Sequence, residues 1–210
     1  MTLLETLIAR YPDLAPCVPD IQAAFELLAA SFRTGGKLLI CGNGGSAADS
    51  EHIVGELMKG YLCRRPVPAA VRQRLLAAAP ADGIYLADHL QGALPAISLV
   101  SQTSLLSAFA NDVAADMGFA QQVYGYGRAG DVVLGISTSG NARNVIHALQ
   151  VARALGLHTL GLTGHTGGAL LPCCDIAIRV PATVTPEVQE QHVAVYHAVC
   201  GLVEEAFFAA

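Results

Sequence analysis

The sequence predicts an α/β domain in three layers, α/β/α, built on a doubly wound parallel sheet. Three observations carry this. Five short apolar runs, 37–41, 95–100, 131–136, 157–163 and 175–180, show no polar alternation, as strands covered on both faces do. Helical patterns lie between them, the order expected of strand–helix–strand units. Two loops rich in glycine and hydroxyl residues, Cys41–Ser46 and Ser137–Asn141, each join an apolar run to the start of a helix.

Taken in chain order, residues 19–34 place Ile21, Ala24, Phe25, Leu28 and Phe32 on one helical stripe, and Gly35-Gly36 stops it. The run 37–41 feeds the first loop and then a helix over 46–60. Residues 62–92 depart from a simple crossover. They hold two short helical patterns, 67–79 and 82–91, punctuated by Pro66, Pro68 and Pro80. They also carry Arg64, Arg65, Arg72 and Arg74, four of the chain's 12 basic residues. This stretch reads as a solvated helical flap; the sharper alternative is an arginine that reaches a substrate oxygen or phosphate. After the run 95–100, the apolar segment 105–110 is closed by Asn111-Asp112, which read as turn formers or helix caps, or as partners for sugar hydroxyls. The run 131–136 feeds the second loop and a helix over 142–155 that ends at Gly156. After the last two runs, 187–208 is the longest helical pattern. The long helices near the two ends have broad apolar faces, which predicts a homo-oligomer.

Composition narrows the function. Of 210 residues, 53% are hydrophobic and 14% charged, so much of the surface is buried, subunit interfaces included. A net charge of −5 argues against general affinity for nucleic acid or membrane. A small phosphate site remains open to it, because backbone dipoles bind anions without net positive charge. No signal peptide and no bilayer-spanning run is read. The six cysteines, Cys17, Cys41, Cys63, Cys173, Cys174 and Cys200, have no CxxC spacing and read as buried apolar residues of a cytoplasmic protein.

The two loops point to a phosphorylated ligand. Glycines allow close approach and positive φ, helix starts offer free N–H groups, and hydroxyls add donors. The helix after the first loop carries His52 and Glu56 at i and i+4, on one face. Gln189 and His197, eight residues apart, share a face of the last helix, whereas His192 points elsewhere. Two imidazoles, a carboxylate and an amide oxygen suit a zinc-like divalent ion. The same glutamate and histidine suit acid–base chemistry. Spacing leaves both roles open.

With these residues in view, CGNGGSAADSEHIVGEL, FAND, DVVLGISTSGN, LTGHTGG and VQEQHVAVYH occur in the order seen in sugar isomerase (SIS) domains. The chain most resembles the phosphoheptose isomerases, which convert sedoheptulose 7-phosphate to D-glycero-D-manno-heptose 7-phosphate. The resemblance runs from about residue 19 to the end, outside 62–92. It implies a single SIS domain over 1–210 with a flavodoxin-like five-stranded sheet and a helical insertion at 62–92. It also implies a homotetramer with sites at subunit junctions. Carried over residue by residue, it implies substrate contacts at Asn43, Gly44, Gly45, Ser46, Asn111, Asp112, Ser137, Thr138, Ser139 and Gln189. It implies zinc ligands at His52, Glu56, Gln189 and His197, with Glu56 and His197 catalytic. The chain departs from the family at Ala142, where a serine is usual, at Glu187, where an arginine is common, and in the insertion. These departures leave two alternatives: isomerisation of a different phosphosugar, or a non-catalytic phosphosugar-binding or regulatory protein.

Overall fold

A computed structural model of the chain describes residues 1–209. It begins with α1 (Leu3–Arg10), where Thr2 and Glu5 form a reciprocal cap. A short 3₁₀ segment leads into α2 (Val18–Arg33), and β1 (Leu38–Cys41) and α3 (Gly45–Met58) follow. The short helices α4 (Ala69–Ala78) and α5 (Gly83–His89) precede β2 (Ala96–Ser98), α6 (Thr103–Asp112) and α7 (Gly118–Tyr126). Then come β3 (Val132–Ser137), α8 (Arg143–Ala154), β4 (His158–Thr163), β5 (Ile176–Arg179) and α9 (Thr185–Phe208).

The sheet is parallel throughout, in the order β2-β1-β3-β4-β5. This is the flavodoxin-like order. From β1 the chain first adds β2 on one side, then returns to add β3 on the other. Strands β1 and β3 are therefore neighbours at the topological switch point, with Cys41 opposite Gly135. Ligands of such sheets bind outside the carboxyl ends of the strands at that point. Both glycine-rich loops leave from there.

The central strands β1 and β3 are apolar on both faces because each face has its own helical cover. Leu38, Ile40, Val132, Leu134 and Ile136 join the core under α2, α3 and α9. Leu39, Cys41 and Val133 join the second core, with Phe119 and Val123 of α7 and Val145 and Leu149 of α8. The predicted helix stops hold: Gly35 and Gly156 take φ of 83° and 72°, a left-handed conformation that favours glycine. Cys17, Cys41, Cys173 and Cys200 are buried, and burial pushes the Cys41 and Cys200 thiols up to about 12, as expected of packing residues. Among the described residues no helix is long and apolar enough to cross a membrane.

All five strands form within two residues of their expected bounds. Helices α1, α6 and α7 were not anticipated. α6 fully buries no side chain and packs on the second core through Leu106, so its burial is slight. Asn111 and Asp112 end that helix rather than form a turn.

The insertion forms its two short helices, but its root is not solvated, and this corrects the flap reading. Arg65 is 1% exposed. Its Nε donates to Glu204 Oε1 at 2.7 Å, and its Nη1 and Nη2 donate to the carbonyls of Leu57 and Glu56 at 2.8 and 2.9 Å. The guanidinium lies over the Phe208 ring, 4.6 Å from its centroid. Glu204 also accepts the backbone N–H groups of Tyr61, Leu62 and Cys63. These bonds and Arg65 outweigh burial and hold its carboxyl below the usual range. Arg72 pairs with Asp88 inside the insertion. None of the four arginines lines the cleft between the two loops.

Candidate active site

The two loops and the start of α9 enclose a cleft of about 340 Å³. Asn43, Gly44, Gly45 and Ser46 form one wall, Ser137, Thr138, Ser139 and Ala142 the other, and Thr185 and Gln189 reach in from α9. Helices α3, α8 and α9 all begin beside it, and none has a side-chain cap. Uncapped helix starts leave N–H groups and dipoles free for an anion. Gly44 takes φ of 57°, which favours glycine, and a Cβ on Gly45 would displace the Gln189 amide that reaches into the cleft. The loops are braced. Asn43 and Asn144 exchange two amide hydrogen bonds, each 2.9 Å. Asn141 donates to the Ser139 carbonyl at 3.0 Å and accepts the Ala169 N–H at 3.0 Å.

Helices α3 and α9 pack together and both lead away from this cleft. Two turns along, they bring His52, Glu56 and His197 to one place, with a ligand atom of each within 4.8 Å of the others. His52 Nε2 is 3.1 Å from Glu56 Oε1 and 3.4 Å from His197 Nε2. The other His52 nitrogen, Nδ1, meets the Tyr196 hydroxyl at 2.9 Å. Tyr61 stacks on His197, with ring centroids 5.6 Å apart. Glu56 is buried and its Oε2 lacks a hydrogen-bond partner; Lys59 Nζ stands 3.7 Å away. Burial, then neighbouring His52, pushes His197 below the ordinary imidazole value, with Glu56 opposing. His197 is therefore neutral near pH 7, able to take a proton or bind a cation.

These groups fit a divalent cation such as zinc. Two imidazole nitrogens on one tetrahedral zinc stand about 3.3 Å apart, close to the 3.4 Å between the Nε2 atoms here. The free carboxylate oxygen supplies a further acceptor. Gln189, the fourth expected ligand, lies against Gly45 at the loop cleft instead.

The structure thus gathers the expected residues into two groups. Asn43, Gly44, Gly45, Ser46, Ser137, Thr138, Ser139 and Gln189 meet at the cleft. His52, Glu56 and His197 meet at the cluster. Asn111 and Asp112 do not line the cleft; they are exposed at the end of α6, where the Asn111 amide donates to Asp112 at 2.8 Å. His192 points elsewhere, as expected, and is fully buried. Sequence reasoning missed Asn144, Tyr196 and Asp49. Asp49 precedes His52 by one helical turn, a spacing that could have flagged it. Tyr196 meets His52 across a separation of 144 residues and left no local signal.

Comparison with known proteins agrees with this architecture. The family model described as SIS domain matches residues 17–78 and 75–164, its two segments meeting inside the insertion. A phosphoheptose isomerase from Rhodospirillum rubrum is 43% identical over 202 residues, covering 96% of this chain and 94% of that protein. A phosphoheptose isomerase from Pelobacter propionicus is 43% identical over 98% of this chain and 93% of its own length. Among solved structures, phosphoheptose isomerase GmhA from Neisseria gonorrhoeae matches with a TM-score of 0.72 and 32% identity, over 97% of this chain and all of that one.

Proposed function

The chain belongs to the SIS domain family, and on that premise we propose that it is a phosphosugar isomerase converting sedoheptulose 7-phosphate to D-glycero-D-manno-heptose 7-phosphate. Residues 1–210 are read as one SIS domain with the insertion at 62–92. One observation carries the reading. The loop cleft and the His52–Glu56–His197 cluster lie on the same two helices, seven residues apart on α3 and eight on α9. That is about 10 to 12 Å of helical rise. An extended sugar chain with a terminal phosphate bridges such a span, its phosphate on the loops and its carbonyl end at the cluster.

In this reading Ser137, Thr138 and Ser139, with the open helix starts, hold the phosphate. Their binding energy positions the reacting carbons. Asn43, Gly44, Gly45, Ser46 and Gln189 contact the sugar backbone. Glu56 and His197 share the proton transfers. One removes the C1 proton of the ketose, an enediol forms, and the proton returns at C2. The other moves the hydroxyl proton from O1 to O2, so the carbonyl passes from C2 to C1. Bound zinc, held by His52, Glu56 and His197, would supply polarisation of the sugar oxygens.

We extend the proposal to a homotetramer in the cytoplasm. Most side chains of α6 are exposed, Asn111 and Asp112 among them, and a subunit junction would bring those two to a substrate. All six cysteines are free thiols, in keeping with a reducing compartment.

The test is turnover of a panel of sugar phosphates, with and without zinc, by the wild type, Glu56→Gln and His197→Ala. Turnover of sedoheptulose 7-phosphate that both substitutions abolish is expected. Near-wild-type rates in folded variants would sink the assignments of Glu56 and His197. Binding without turnover of any sugar phosphate would turn the reading to a sensor. Ala142 in the cleft wall favours a second reading, the same chemistry on another phosphosugar, because a hydroxyl that the family usually offers is missing.

A further inference from the structure

The arginines of the insertion are absent from the loop cleft, yet three of them meet elsewhere. A cavity of about 600 Å³ opens at the root of the insertion, between the segment before α4 and the end of α5. Its frame is held by backbone. Pro66 and Gln91 form an antiparallel bridge, and the Gly92 N–H donates to the Arg65 carbonyl at 2.7 Å. Arg65 makes the closed side, since all three of its guanidinium nitrogens are engaged. The remaining donors are not. Arg64 is exposed and makes no ion pair or hydrogen bond among the described residues. Arg72 gives Nη1 to Asp88 Oδ1 at 2.5 Å and keeps its other N–H groups. The Gln91 side-chain oxygen accepts the Gly60 N–H at 2.5 Å, which leaves the amide NH₂ without an acceptor.

The balance of these groups selects a ligand. Arg65 offsets Glu204 and Arg72 offsets Asp88, so Arg64 stands as an uncompensated positive charge. Arg64, Arg72 and Gln91 hold N–H donors in excess, against one spare carboxylate oxygen on Asp88. A guanidinium fork matches carboxylate and phosphate oxygens in pairs. Cavities of several hundred cubic ångströms take small molecules, and Leu90 adds apolar lining for a carbon body. We propose that the root of the insertion is a second anion site, in which Arg64, Arg72 and Gln91 hold the carboxylate or phosphate oxygens of a small organic molecule. Two short links join it to the His52–Glu56–His197 cluster. Arg65, next to Arg64 in the chain, holds the carbonyls of Glu56 and Leu57. Gln91 holds Gly60, whose neighbour Tyr61 stacks on His197. An occupant therefore bears on the segments that carry Glu56 and face His197.

The inference goes beyond the isomerase reading and does not rest on it, because binding is measured without substrate. The experiment is calorimetric titration of the full chain with inorganic phosphate and, separately, with succinate, at millimolar concentrations. Arg64→Gln, at an exposed position, should weaken binding at the insertion about tenfold or more, the worth of a charge-assisted hydrogen bond. Asp88→Asn removes the competing carboxylate and frees Arg72, so it should tighten binding about threefold. Arg64-dependent binding of phosphate alone marks a phosphate ester as the ligand, and of succinate alone a carboxylate; either supports the site. Absence of Arg64-dependent binding of both anions, or equal affinity in Asp88→Asn, overturns the proposal. Ser139→Ala separates the loops from this site: it should weaken only the phosphate bound in the loop cleft. Phosphate binding wholly unchanged by Ser139→Ala would count against the loop reading and not against the second site.

Discussion

Two clusters of polar groups lie along α3 and α9, about two turns apart on α9, and they are finished differently. At the far end Arg65 and Glu204 are sealed from water, and their bonds are closed. Arg65 serves two carbonyls of α3, and Glu204 takes three backbone N–H groups. Nearer the loops, His52, Glu56 and His197 stand within reach of one another. They leave a carboxylate oxygen unpaired and two imidazole nitrogens face to face. Both helices contribute to each, with Arg65 added to the closed one from the root of the insertion. A saturated cluster has no capacity for a ligand, so its contribution is stability. An unsaturated one carries an electrostatic cost in the empty protein that a substrate, proton or cation can relieve.

The largest effect expected from this contrast is on turnover. Glu56→Gln keeps shape and removes charge; kcat should drop by roughly 10²- to 10⁴-fold with melting temperature nearly unchanged. A folded variant with normal kcat would break the comparison at its functional end. Next comes Arg65→Ala, which strands the buried Glu204 carboxylate and should cost about 3–5 kcal/mol of stability. Urea unfolding measures it; a midpoint equal to wild type would mean that the saturated cluster holds nothing together.

His192 sharpens the contrast because it is unsatisfied without belonging to the site. Both ring nitrogens lack hydrogen-bond partners, and burial drives its pKa to about 4, the Thr163 backbone opposing only in part. Its folded value lies below that of the unfolded chain, so the unfolded state takes up the proton first. Stability is therefore full above about pH 6.5 and declines as pH falls toward 4. The loss is about 3 kcal/mol across that window. Melting temperatures of wild type and His192→Leu between those limits test this: the variant should show the smaller decline, and equal declines would remove His192 as the cause. The smallest effect expected is at the brace. Asn144→Ala frees the Asn43 amide from two exposed hydrogen bonds and should raise KM for a sugar phosphate by about tenfold or less. An unchanged KM would show that the first loop holds its shape unaided.

The features legible in the sequence were those with a local cause. Buried parallel strands are apolar on both faces, so all five could be read from runs such as Val132–Ile136. The glycine and hydroxyl loops could be read because the positive φ of Gly44 favours glycine, a local property. The i, i+4 spacing put His52 beside Glu56 before any fold was known. By contrast, α6 escaped because it packs only lightly on the core, with no side chain fully buried. Arg65 read as one more charge in a basic flap. Its partner lies 139 residues on, and nothing near Arg65 announces a buried carboxylate.

By itself, then, the sequence determined the layered sheet, the two anion-ready loops and the pairs His52–Glu56 and Gln189–His197, because periodicity and backbone freedom are local properties. Tertiary structure alone decided that Gln189 closes the loop cleft while His197 turns to His52, and that Tyr196 buttresses an imidazole on another helix. It also decided that Arg65 is a buried tie between helices. Each of these depends on how α9 lies along α3. That packing is set by the whole core beneath them, and no short window of residues encodes it.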